Sequence, residues 1–226
     1  MKDLKDYRGR EQSMWVIANV LVFLITHNFI SVNTSELIET ANTLSELFTA
    51  VILTVIAFGF IFVVECLFST ELKSKLLYLF GLFSLPGCTI FTNIKNKNRD
   101  KRFSYNSLVE KYPTIFENLP RDKKARKRYE NEHWYSIYNQ HRNESIIHFS
   151  NRDSLMCRDV YISTLTMLVL YIAVSVAELV TFNCGYLMFL TLLVITTNIG
   201  ANRKANRFAY NVIAYDVNYK LKEKKE

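Results

Sequence analysis

Leu47–Phe68 reads LFTAVILTVIAFGFIFVVECLF, 22 residues with one charge, Glu65, close to the end. As a helix it would rise ~33 Å, enough for the ~30 Å hydrocarbon core of a bilayer. A core helix of a water-soluble bundle keeps a polar stripe toward solvent. From Ala50 to Val64 the only polar side chain is Thr54. The stretch therefore reads as a lipid-embedded span, and it sets the frame for the rest of the chain.

Three other stretches fit the same frame. Met14–Val32 is 19 residues without Lys, Arg, Asp or Glu, and Val160–Val180 is 21 residues with one acid, Glu178. Tyr186–Ala201 is shorter, 16 uncharged residues, but the flanking Asn202 and Arg203 can snorkel to the interface. A fifth apolar stretch, Leu76–Thr92, is interrupted by Gly81, Pro86 and Gly87.

The basic residues choose between four and five passes. With four, all 28 Lys and Arg lie on one side: 4 in residues 1–13, 2 in 69–92, 15 in 93–159 and 7 in 202–226. Cytoplasmic loops concentrate Lys and Arg in this way. A fifth pass would carry the 15 basic residues of 93–159 across. Residues 69–92 are therefore expected at the inner surface, interfacial or re-entrant. The acids Asp3, Asp6 and Glu11 before the first apolar run argue for a retained anchor rather than a cleaved leader.

The expected fold class is all-α: an integral membrane protein with four transmembrane helices as two hairpins and a cytoplasmic helical insert. Residues 1–13 form a cytoplasmic N-terminus, 14–68 the first hairpin, 93–159 the basic insert, 160–201 the second hairpin and 202–226 a helical tail. Both termini are expected in the cytoplasm, at the inner membrane. Within the insert, Ser104–Tyr112 reads as a short helix stopped by Pro113, and Asn118-Leu119-Pro120 as the start of a helix reaching His141. In the tail, Ala205, Phe208, Val212, Tyr215 and Tyr219 recur at 3-4 spacing and predict a buried seam continuing the fourth helix.

Arg121–Arg128 (RDKKARKR) places Arg121, Lys123, Lys124, Arg126, Lys127 and Arg128 in eight positions. Such a juxtamembrane cluster attracts anionic inner-leaflet lipid. Lipid is the favoured contact, and a nucleotide or RNA the alternative, with Trp134 and Tyr138, on a half-buried helix face shared with Ile137 and His141, offering stacking faces and Arg142 a further cation. Polar residues inside spans carry functional suspicion: the sharper reading pairs His27 with Glu178 near the outer side and Glu65 with Asn198 near the inner, while the preferred one has each snorkel to the interface or hold neighbouring helices together. Arg152, Arg158 and Asp159 mark the inner mouth of the third span, Arg152 and Asp159 seven apart on one face.

Catalytic and metal chemistry find little footing. The four Cys are scattered, and His133, His141 and His148 lack ligand-type spacing, so neither a metal nor another cofactor is expected. Arg128 with His133, and Arg142 with His148, have a spacing similar to the R-x(4–6)-H signature of HEPN-type ribonucleases. In a stretch so rich in basic residues that spacing arises by chance, and the chain is not expected to be an enzyme.

The layout over the whole chain, with HWYSIYNQHR (133–142), NRDSLMCRD (151–159) and NRFAYNVIAYD (206–216), resembles small four-span bacterial membrane proteins of defence operons, the accessory and effector proteins of CRISPR or cyclic-nucleotide signalling. The resemblance implies antiviral defence by membrane disruption or a pore, triggered by a cytosolic partner or nucleotide. The expected function is thus a homo-oligomeric membrane effector or channel-like protein controlled through the basic insert. The alternatives are a non-conducting scaffold that recruits a cytosolic protein, and a small transporter.

Overall fold

A computed structural model describes residues 6–29, 40–79, 84–97 and 100–223. Among them every regular element is helical. A 3-10 turn, Asp6–Gly9, precedes α1 (Glu11–Thr26), followed by α2 (Thr40–Leu67) and α3 (Thr70–Leu77). After a 3-10 turn at Pro86–Cys88 come α4 (Ile90–Lys97), α5 (Tyr105–Lys111), α6 (Pro113–Glu117), α7 (Lys123–His141), α8 (Ser145–Val176) and α9 (Cys184–Glu223). The chain divides into two compact units. Unit 1 comprises Met1–Leu77 and Met156–Ala201, and unit 2 Tyr78–Leu155 and Asn202–Glu226.

Among the described residues two helices, not the four expected, are long and apolar enough to cross a membrane: α8, and α9 over Cys184–Asn218. The expected first span is shortened to the 16 residues of α1. The reason is local. Asn28 takes φ 57°, and Asn28 N–H donates to Ile25 O at 3.2 Å while Phe29 N–H donates to Leu24 O at 2.9 Å. This left-handed closure satisfies the last carbonyls and stops the helix six residues before Val32. In α2 the shorter apolar segment Thr54–Val64 stands out. Of the expected first outer loop, 33–46, residues 33–39 lie outside the described residues, as do 30–32 and the side chains of Glu65 and Tyr219, while 40–46 form the start of α2.

In unit 1 the face of α1 formed by Val16, Val20 and Leu24, four apart, packs with Ile61 of α2, Met167 and Tyr171 of α8, and Tyr186 and Leu190 of α9. The outward faces are also apolar. All but five of the exposed large hydrophobic side chains among the described residues belong to this unit; the five are Leu79, Leu85, Tyr135, Ile146 and Phe149. Only 17% of the apolar window of α9 is buried. Exposed apolar surface of this extent is compatible with a membrane protein. The α8–α9 connection is held by Tyr171, whose phenol accepts Asn183 N–H at 2.7 Å and donates to Asn183 O at 3.1 Å.

Unit 2 has its own core, built by Ile90, Phe91 and Ile94 of α4, Leu108 of α5, Ile115 of α6, Trp134 and Ile137 of α7, and Val212, Ile213 and Val217 of α9. The insert alone supplies too few apolar residues, and the tail completes it: Ala205 and Val212 are buried, Phe208 and Tyr215 half-buried. Residues 84–92 of the Leu76–Thr92 stretch contribute to this protein interior, Ile90 and Phe91 being fully buried. Gly87 lies under Trp134, where a β-carbon would meet the indole at 2.9 Å. The expected helix starts shift by local capping. Ser104 Oγ accepts Ser107 N–H at 3.0 Å to open α5, and Pro113, expected as a stop, is the first residue of α6. Asp122, rather than Asn118, caps α7 by accepting Ala125 N–H at 2.8 Å.

Candidate functional site

The sequence analysis placed ligand recognition on α7. There Arg121, Lys123, Lys124, Lys127 and Arg128 are exposed, while Arg126 turns back to donate to Pro120 O at 2.7 Å and Arg121 O at 2.9 Å. The aromatic partners are engaged in the fold. Trp134 is 8% exposed, stacks on Tyr138 with ring centroids 5.6 Å apart, and donates its indole N–H to Ala209 O at 3.2 Å. Tyr138 in turn accepts from Asn151 at 3.0 Å. The aromatic face expected to stack on bases is therefore part of the unit 2 interior, and the α7 cations stand without it. Arg142 is exposed at the end of α7.

A different surface of unit 2 gathers the cations around a concavity. Asn93, Asn96 and Lys97 of α4, Asp100, Lys101 and Arg102 of the following turn, and Arg203, Asn206, Arg207 and Tyr210 of α9 line a cleft of about 880 Å³. Helical geometry explains the set. Positions 93, 96 and 97 share one face of α4, and 203, 206, 207 and 210 share one face of α9. That face of α9 is the complement of the buried seam of Ala205 and Val212. The one carboxylate, Asp100, is occupied: Arg102 binds it at 2.6 Å and also donates to Asn211 Oδ1 at 2.7 Å. The Arg102 guanidinium holds the Asp100 carboxyl below its ordinary range. Lys97, Lys101, Arg203 and Arg207 leave the cleft strongly positive. Cations arrayed with side-chain amides suit a ligand that carries phosphates and neutral polar groups together.

A second cluster in unit 2 surrounds Asp216, a residue the sequence reading did not single out. Its carboxylate accepts from Tyr112, pairs with Lys111 Nζ at 2.6 Å and lies 2.5 Å from His141 Nε2. Burial and the neighbouring Lys111 push His141 below the usual histidine range. With three partners on one carboxylate, the cluster serves to join α5, α7 and α9. His133 packs on the Tyr129 ring at 4.3 Å and His148 on Phe149 at 5.9 Å. Among the described residues no hydrogen bond joins either to the arginine of its R-x(4–6)-H spacing.

In unit 1 the described polar residues bond mainly to nearby backbone. His27 Nδ1 bonds Phe23 O at 3.0 Å, and its ring lies 5.6 and 5.5 Å from the rings of Tyr171 and Tyr186. Glu178 is exposed and closes α8 in a left-handed conformation, φ 58°, and no hydrogen bond or ion pair joins it to His27 among the described residues. Asn198 donates to Leu77 O at 3.0 Å, helping Tyr161 (to Leu76 O, 3.3 Å) satisfy the end of α3. Asp159 is fully buried. It accepts from Tyr7 OH at 2.7 Å and Arg158 at 3.0 Å, with Lys73 Nζ at 3.6 Å. Arg152 sits beside Asp153, at 3.7 Å, and Lys204 also reaches Asp153, at 3.0 Å. The expected inner-mouth group thus separates into two sets, each with two cations on one carboxylate. Among the described residues no group of His, Cys, Asp and Glu is arranged to hold a metal.

The residues that line the cleft escaped the sequence reading because they come from segments a hundred positions apart. The available signal was the repetition of Asn and Lys or Arg at i, i+3 and i+4 in both α4 and α9. No protein-family model matches the chain, and no curated protein or solved structure is significantly similar to it.

Proposed function

We propose that this chain is a multi-pass inner-membrane protein, both termini cytoplasmic, whose unit 2 receives a phosphate-bearing cytosolic ligand and thereby controls a homo-oligomeric membrane effector. The observation that carries the reading is the cleft: Lys97, Lys101, Arg102, Arg203 and Arg207 around about 880 Å³ with one neutralised acid. A volume in this range suits a nucleotide-sized molecule. Asn93, Asn96 and Asn206 add hydrogen-bonding groups beyond what bare phosphate needs.

The membrane part of the proposal is supported by α8 and α9, and by the exposed apolar surface of unit 1. In this reading α1 and α2 supply the other two passes. The 16 residues of α1 rise ~24 Å, a mismatch that local thinning and snorkelling flanks accommodate. This arrangement keeps all 28 Lys and Arg on the cytoplasmic side. The exposed α7 cations contact anionic lipid.

The test uses full-length protein in phosphatidylcholine nanodiscs, titrated with trinitrophenyl-ATP. Saturable binding, weakened at least about tenfold by R203E/R207E and unchanged by K123E/K124E, supports the proposal. Absence of binding ends it. If the cleft cations matter only when phosphatidylglycerol is present, the occupant is a lipid headgroup rather than a cytosolic ligand. Membrane-potential dye uptake on expression tests the effector arm, which an unchanged potential with the trigger present would remove.

A further inference from the structure

A second cavity lies within unit 1, about 530 Å³ in volume, between α1, α2, α8 and the start of α9. Phe23, Phe60, Met167, Tyr171 and Tyr186 make most of its wall apolar, and among the described residues none that lines it is charged. Asn19 also lines it. This residue is 4% exposed, and its Nδ2 donates to Trp15 O, four residues back, at 2.8 Å. That bond fixes the amide orientation, since only the NH₂ end can donate to a carbonyl. Among the described residues the buried Oδ1 atom has no hydrogen-bond partner. A buried acceptor left unmatched is costly, and more so amid apolar groups.

We infer that this cavity binds an uncharged, apolar molecule carrying one hydroxyl, which donates to Asn19 Oδ1. The absence of charge on the wall selects against a carboxylate or ammonium headgroup. The apolar wall takes the hydrocarbon body. The single buried acceptor sets the preference for an alcohol over the matching hydrocarbon. A water molecule would satisfy Oδ1 alone and leave the apolar volume to be filled. The inference is independent of the basic cleft, and its ligand comes from the hydrophobic phase rather than the cytosol.

The test uses full-length protein in phosphatidylcholine nanodiscs with a photoreactive diazirine analogue of farnesol as probe. Labelling is expected on peptides from α1 and α8, displaced by farnesol about tenfold more effectively than by its saturated hydrocarbon, farnesane, which corresponds to one hydrogen bond to a buried acceptor. N19L should abolish that difference while leaving displacement by farnesane unchanged. V174F, which fills the cavity without touching Asn19, should abolish labelling. Equal displacement by alcohol and hydrocarbon in the unaltered protein would overturn the inference, and so would labelling of V174F at the unaltered level. Should N19L fail to fold, the alcohol–hydrocarbon comparison and V174F still decide.

Discussion

The carboxylate of Glu130, in the middle of α7, accepts the backbone N–H of Phe91 at 2.9 Å, thirty-nine positions away in sequence. It also accepts Thr92 N–H at 3.1 Å and the Thr92 hydroxyl, so a side chain from another helix caps the N-terminus of α4. Glu130 is fully buried, and burial raises its pKa above the ordinary 4.5 despite these donors.

Because the folded-state pKa is raised, the unfolded chain gives up this proton first. Stability is highest below pH 4.5 as far as this group is concerned, and falls as pH rises through the folded value. E130Q keeps an acceptor for both N–H groups, so it should fold and lose this part of the pH dependence. E130A leaves the donors of α4 unmatched, and should cost about 2–3 kcal/mol. Chemical denaturation across a pH series, followed by Trp134 fluorescence, checks both. Equal stability of E130A and E130Q would contradict the capping role.

Removing Asp159 should be among the most damaging single changes in unit 1. Lys73 and Arg158 are 3% and 7% exposed, and D159A removes the carboxylate that both positive charges face. The expected loss is about 3–5 kcal/mol. Y7F removes one hydrogen bond to the same carboxylate and should cost about 2 kcal/mol. Thermal unfolding of the detergent-solubilised protein ranks the two variants. A milder effect for D159A than for Y7F would rule out the cluster as a charge-balancing site.

Glu178 offers the opposite outcome, a gain. Its φ of 58° is a conformation that glycine adopts without strain, and Leu179 N–H donates to Val174 O at 3.0 Å across it. E178G should therefore raise stability by about 1 kcal/mol. The same variant tests the transporter alternative, which requires the carboxylate. Substrate uptake lost in a stabilised E178G protein would reassign Glu178 from helix closure to transport.

Features with a short repeat were legible in the sequence. The 3-4 spacing of Ala205, Phe208, Val212 and Tyr215 marked the tail seam, and the apolar runs marked where α8 and α9 are exposed. Features set by distant partners were not. Trp134 read as a recognition surface because nothing near it in sequence reveals Gly87 beneath the ring or Ala209 O beside the indole. Asn19 was hidden for the opposite reason: one amide in an apolar run barely alters its hydropathy, and only the three-dimensional wall of a cavity gives its unmatched oxygen meaning. The length of α1 turned on the backbone twist at Asn28, which the uncharged run through Val32 did not disclose.

The Tyr171 clamp on Asn183 has a practical corollary. The loop between α8 and α9 is tied to a phenol one and a half turns inside α8, on both faces of one peptide residue. Epitopes or protease sites grafted between Leu179 and Asn183 would pull against that tether and report on a perturbed protein. Accessibility mapping of this loop is better done with single cysteine labels at exposed positions such as Phe182.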